Sequence, residues 1–383
     1  MTGTTTVRLW CIAVAAVVAL VSSATSCRDM ATMGPKPPEK VILVEKESEK
    51  PVSDPAKPSA KPSDAAKTAE PVRAEPGQAA ASGKTVETMP EGCVREFFTV
   101  PSPSMKRDIR AVVVLPPEYS KKPEARYPVI YALHGMGAPY AAFADMSPLR
   151  KYLVDHPMIL VCFDGDRASC YVDSPLRADS QFTTFFFDEL LPYIEKNYRT
   201  DGRRAATGFS MGGYGAFHYL MAHPEKFTSA SSLSGAFMLF APPRPEAASR
   251  VNHNELMGDH EKNQAAWDRC YIPSRLKQQV ADGVRLPPIL IRCGTEDGLL
   301  KGNREFVDLL VAQNAEIARK MAPMLKDITD PAKLREKTEE LGRKMLIDFE
   351  YTESPGGHNW PYWRDASRAV AEFHWRHFQA ATK

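Results

Sequence analysis

Nothing limits the fold of this chain more than the rhythm of residues 93–383, where short apolar runs alternate with helical patterns. Strand-like runs fall at 109–115, 129–133, 158–163, 205–209, 229–233, 288–293 and 346–352, with helical spacing at 182–198, 212–221, 303–320 and 365–378. Parallel strands need a crossover long enough to hold a helix, so the alternation predicts one α/β domain with a mostly parallel central sheet flanked by helices. Across all 383 residues, 43% are hydrophobic, which excludes a wholly disordered chain without reaching the apolar content of a polytopic membrane protein. Lys+Arg 49 against Asp+Glu 47 leaves no basic platform for nucleic acid.

The first 92 residues have a different texture. An apolar run at 10–21 follows Arg8 and precedes Ser22, Ser23, Ala24, Thr25, Ser26 and Cys27. Such a run is too short to span roughly 30 Å of hydrocarbon at about 1.5 Å per residue, yet it suits the apolar segment of a secretory signal. Residues 1–26 are therefore expected to be a signal peptide. Ala24-Thr25-Ser26-Cys27 resembles a bacterial lipobox, with Ala24 in place of the usual Leu. That resemblance implies lipidation of Cys27 and an exported, membrane-anchored envelope protein; plain cleavage with Cys27 as a spare residue is the alternative. Ten of the 32 prolines fall between residues 31 and 90, among Lys, Ala, Glu and Ser. Residues 27–92 are expected to be a disordered tether, interrupted only by Val41-Ile42-Leu43-Val44.

Gly208-Phe209-Ser210-Met211-Gly212 follows an apolar strand and opens into a helix. Glycines in that context permit a strained turn that presents a serine hydroxyl at the carboxyl end of a sheet. A serine is a weak nucleophile without a base and a group to orient that base. Asp297, after strand 288–293, and His358, in a Gly-rich turn after strand 346–352, follow in the order Ser, Asp, His. Asp297 also suits a helix cap near Leu300, and Glu296 is the alternative acid. Backbone N–H groups of Met211 and of the loop His134-Gly135-Met136-Gly137 are the expected oxyanion donors. His134 is read as an orienting hydrogen-bonder of that loop and, with Trp360 and Trp363, as a candidate for the substrate pocket.

These motifs, together with Phe163-Asp164-Gly165, Tyr171-Val172-Asp173-Ser174, Ser232-Leu233-Ser234-Gly235 and Cys293-Gly294-Thr295-Glu296-Asp297, resemble the esterase D type of α/β-hydrolase. That group includes feruloyl and acetylxylan esterases, S-formylglutathione hydrolases, enterochelin esterases and mycolyltransferases. The resemblance spans nearly all of residues 93–383. It implies an α/β-hydrolase fold with Ser210 as nucleophile, Asp297 as acid, His358 as base, and the Met136 and Met211 amides as oxyanion hole. Ala138 replaces a glycine common in the family. Residues 312–345 are longer than the usual link and predict an added helical hairpin, capped at Asp330-Pro331, which is either a lid with Met321 and Met324 towards an acyl chain or a charged appendage. Residues 236–286 are the expected cap region, where Phe237, Leu239, Phe240, Trp267 and Tyr271 either line a pocket or pack a core.

Cys170 and Cys270 are the pair to test for a disulfide, while Cys162 and Cys293 read as buried small apolar residues. No zinc-like Cys/His spacing, phosphate-binding loop or EF-hand pattern is present, so no cofactor or metal is implied. The sequence thus points to a serine esterase acting on acyl esters of carbohydrates. Acyl transfer to a sugar hydroxyl and a non-catalytic binding lipoprotein on the same scaffold are the rivals.

Overall fold

The computed structural model describes residues 5–8, 84–241 and 253–381. Nine strands between Thr85 and Ser354 form one sheet: β1 (Thr85–Thr88), β2 (Val94–Ser102), β3 (Arg107–Leu115), β4 (Tyr127–Leu133), β5 (Ile159–Phe163), β6 (Thr200–Gly208), β7 (Ser229–Leu233), β8 (Ile289–Gly294) and β9 (Phe349–Ser354). Their spatial order is β9-β8-β7-β6-β4-β5-β3-β2-β1, and Thr5–Arg8 lies antiparallel along the outer edge of β9. β4 to β9 run parallel, and β1 to β3 are antiparallel.

Composition explains the arrangement. Every residue of β4, Tyr-Pro-Val-Ile-Tyr-Ala-Leu, is buried, because a central parallel strand is covered on both faces. Val94-Arg95-Glu96-Phe97-Phe98 of β2 is only half-buried, as an outer strand should be. One face of the sheet packs against α1 (Leu191–Asn197), α2 (Met211–Ala222), α3 (Ile272–Ala281) and α4 (Leu300–Leu325) through Tyr131, Phe186, Tyr219 and Phe306. The other packs against α6 (Trp360–Ala380) through Leu160, Phe209, Trp363 and Phe373.

All seven predicted strands and four predicted helices are present, and the boundary at residue 93 is corrected: β1 begins at Thr85 and pairs with β2. Every β1 residue is exposed, so no apolar alternation marked the strand. Residues 9–83, which hold Cys27 and most of the expected tether, lie outside the described residues. Among the described residues, no helix is long and apolar enough to cross a membrane.

The added hairpin exists as the end of α4 and α5 (Pro331–Met345), with the Asp330 carboxylate accepting from Ala332 and Lys333 amides. Its position corrects the lid expectation. Asn314 exchanges two hydrogen bonds with the backbone of Ile347, just before β9. Gly342, Arg343 and Leu346 border a cavity with Pro288, Asp348 and Phe349, at the amino ends of β8 and β9. Met321 is buried in the core, and Met324 is solvent-exposed. Cys170 and Cys270 are corrected too: both are free, buried thiols.

Candidate active site

The chain leaves β4, crosses to β5 on one side, and returns to β6 on the other, so the carboxyl ends of β4 and β6 border a topological switch point, where α/β sheets bind ligands. Ser210 follows β6 there, with φ 57° and ψ −120°. Its flanking glycines have a packing reason: a Cβ on Gly208 would lie 2.1 Å from the Gly212 carbonyl oxygen, and one on Gly212 would lie 2.0 Å from that of Leu133. The Ser210 amide donates to Leu233 O, and Ser210 O accepts from the Tyr214 amide, which pins the turn between β6 and α2 against β7.

Ser210 Oγ lies 2.8 Å from His358 Nε2, and His358 Nδ1 lies 3.0 Å from each carboxylate oxygen of Asp297. A carboxylate only accepts, so Nδ1 carries the proton and Nε2 is left to accept from the serine. The structure thus brings together the three residues singled out in the sequence. Asp297 is buried and His358 partly open to solvent. Burial opposes ionisation of Asp297, but hydrogen bonds from His358, Ser234 and the Leu299 amide outweigh it and hold the carboxyl below its usual range. Glu296 is exposed, and the acid in contact with His358 is Asp297. The capping alternative does not hold: Asp297 Oδ1 accepts from Leu299 N at 2.8 Å, but Leu299 is itself the N-cap of α4, and no side chain caps that end.

His134 supports its loop, as one of its two readings expected, and is not a pocket residue. It is buried, accepts from Gly165 N at Nε2 (2.9 Å), and therefore donates from Nδ1 to Gly135 O (2.8 Å). Tyr171 Oη donates to His134 O, tying the loops after β4 and β5 together. Gly137 N donates to Arg167 O, whereas the amides of Met136 and Met211 find no acceptor among the described residues. Met136 is 43% exposed and Met211 buried.

Trp363 is also no lining residue. Its indole is buried, packs edge-on to the His358 ring at 5.1 Å and donates to Ser234 Oγ at 3.1 Å. Trp360 is half-buried, packed against Phe209 and Trp363. Phe237, Phe240 and Trp267 of the expected cap region are core residues, with Phe237 stacked on Phe306 at 4.3 Å. Ser234 was quoted in the sequence without a role. Its signal, φ 52° just after β7, is conformational and invisible in a string of residue types. Among the described residues, no group of three or more His, Cys, Asp or Glu is placed to hold a metal ion.

A family model described as "Putative esterase" matches residues 102–366. The chain belongs to that esterase family. Two Mycobacterium tuberculosis esterases, from two strains, are each 40% identical to this family member over 225 residues, 52% of this chain and 48% of theirs. The chain thus matches about half the length of these relatives. A ferulic acid esterase structure superposes with TM-score 0.57 at 23% identity, over 74% of this chain and 98% of its own. An S-formylglutathione hydrolase from Agrobacterium tumefaciens gives TM-score 0.57 at 20% identity, over 76% and 98%. These likenesses give the family member the α/β-hydrolase fold expected from its motifs.

Proposed function

We propose that this protein is a serine carboxylic-ester hydrolase whose nucleophile is Ser210. The observation that carries the reading is the hydrogen-bonded chain from Ser210 Oγ through His358 to buried Asp297. Ser210 Oγ attacks the ester carbonyl carbon as His358 Nε2 takes its proton. The oxygen that becomes negative is received by the Met136 and Met211 amides, the second at the start of α2, where the helix dipole also favours negative charge. The tetrahedral species collapses, the C–O bond to the alcohol breaks, and His358 returns the proton to the departing oxygen. Water activated by the same imidazole then releases the acid from Ser210.

The substrate class we favour is an acyl ester of a carbohydrate, of acetyl or feruloyl type. Support comes from the likeness to a ferulic acid esterase and from Trp360, whose partly open indole suits stacking on an aromatic acyl group or a sugar ring. We further infer export and anchoring through Cys27, supported by the apolar run at 10–21 and the lipobox-like Ala24 to Cys27.

The test is hydrolysis of p-nitrophenyl acetate, butyrate, octanoate and feruloyl esters, with fluorophosphonate labelling in parallel. Hydrolysis and label are expected to vanish in Ser210→Ala and to fall on the order of 10³-fold or more in His358→Ala. Labelling that persists in Ser210→Ala would remove this serine as nucleophile. An unlabelled, inactive wild-type protein would favour a binding role.

A further inference from the structure

We propose that Ser234 is a positioning residue for the acid of the triad, with Trp363 setting the direction in which its hydroxyl donates. The proposal rests on the triad reading above and adds two residues to it.

A serine hydroxyl has one proton, and an indole N–H can only donate. Trp363 Nε1 donates to Ser234 Oγ at 3.1 Å, which occupies a lone pair and leaves the serine proton to point elsewhere. Two groups lie within its hydrogen-bonding reach, the Asp297 carboxylate and the Cys293 thiol, and the anionic carboxylate is the stronger acceptor. Asp297 therefore receives three donors: His358 Nδ1, the Leu299 amide and Ser234 Oγ.

The backbone holds Ser234 in place for this. Its amide donates to Arg292 O at 2.7 Å, and its positive φ turns the chain sharply at the end of β7. Gly235 O accepts from Asn303 Nδ2, which also donates to Leu299 O, so the Ser234 turn and the Asp297 loop are tied through α4. Trp363 serves both ends: its N–H directs Ser234, and its ring meets the His358 imidazole edge-on. The other titratable neighbours of Asp297 are Cys293, whose thiol burial pushes up to about 12, and Glu296, which is exposed.

Removing the Ser234 hydroxyl leaves the carboxylate charge less satisfied. It then stabilises the protonated imidazole more strongly, so the base stays protonated to higher pH and the acid limb of kcat/KM moves upward. The experiment compares Ser234→Ala and Trp363→Phe with wild type in the full chain, using p-nitrophenyl butyrate from pH 5 to 9 and a thermal melt of each variant. Ser234→Ala is expected to lower kcat about tenfold, leave KM within about twofold, and raise the acid limb by about half a unit. Trp363→Phe keeps an aromatic ring in place of the indole, frees the serine proton to rotate, and should move both quantities in the same direction by less. Ser234→Gly, which accepts φ 52°, replaces the alanine variant if that fails to fold.

A wild-type kcat and acid limb in Ser234→Ala would overturn the proposal. So would a loss of kcat that follows the melting temperature while the limb stays fixed, since that marks packing alone. Ser210→Ala, run alongside, separates the two levels: activity surviving there defeats the triad reading itself, whereas activity lost there with an unmoved Ser234→Ala profile defeats only the role of Ser234.

Discussion

Ser210 occupies a backbone conformation that costs a non-glycine residue on the order of 1–3 kcal/mol, and its surroundings hold it there. Gly208 and Gly212 admit carbonyl oxygens where any side chain would collide, and the Leu233 carbonyl accepts its amide. The acid is equally committed. In Asp297→Asn the carboxamide no longer balances an imidazolium, and its NH₂ group opposes the Nδ1 proton, which favours the wrong tautomer. The expected outcome is a fall in kcat on the order of 10³-fold with KM little changed, measured by steady-state kinetics on the best p-nitrophenyl ester. A loss below about tenfold would show that Glu296 or solvent replaces the acid. The three residues of the proposed triad were legible in the sequence because each follows a strand end in a glycine-marked turn. The supporting residues were legible only in part. His134 could be read as a hydrogen-bonder of its loop, whereas Trp363 looks like a pocket residue in a string of letters, and only its buried hydrogen bond reveals that it braces Ser234.

At the scale of elements, the helices that flank the sheet carry histidines locked in the uncharged state. His218 of α2 touches Thr183 Oγ1, and His374 of α6 is held between Ser229 and Ser231; burial pushes both down to about 3. An unfolded histidine titrates near 6.5, so between pH 6.5 and about 3 the unfolded chain binds protons that the folded chain refuses. Stability therefore falls as pH drops through 6.5, by about 2 kcal/mol per histidine at pH 5. The melting midpoint should decrease steadily from pH 7 to 5, a window above the carboxylate range; a flat profile there would mean that these imidazoles find protons in the folded state. The same elements mark what periodicity reveals. Buried strands such as β4 and β7 stand out as apolar or small-residue runs. β1, exposed on all four residues, owes its existence to pairing with β2, and that is a tertiary fact.

For the whole molecule, the two ends of the sheet have separate tasks. Ser210, Asp297 and His358 cluster beyond the carboxyl ends of β6, β8 and β9, while α4 runs on for 26 residues past the six of β8. At about 1.5 Å per helical residue and 3.3 Å per strand residue, α4 outruns its strand by roughly 19 Å, carrying the hairpin with α5 away from the site. The hairpin has its own small core, in which buried Ala318 and Leu325 meet Ala322, Ile328, Leu334 and Leu341. Arg335, Lys337, Arg343 and Lys344 pair with Glu339 and Glu340 along α5, the pattern of a solvated face. Leu325→Ala should therefore cost about 2–5 kcal/mol through the cavity it leaves, seen as a lower melting midpoint. Its relative rates on acetyl, butyryl and octanoyl esters should match wild type, because the deleted atoms lie at the opposite end of the sheet from Ser210. A changed chain-length preference in that variant would mean that the hairpin and the catalytic end are coupled through α4, the one helix that runs from the Asp297 loop to the hairpin turn.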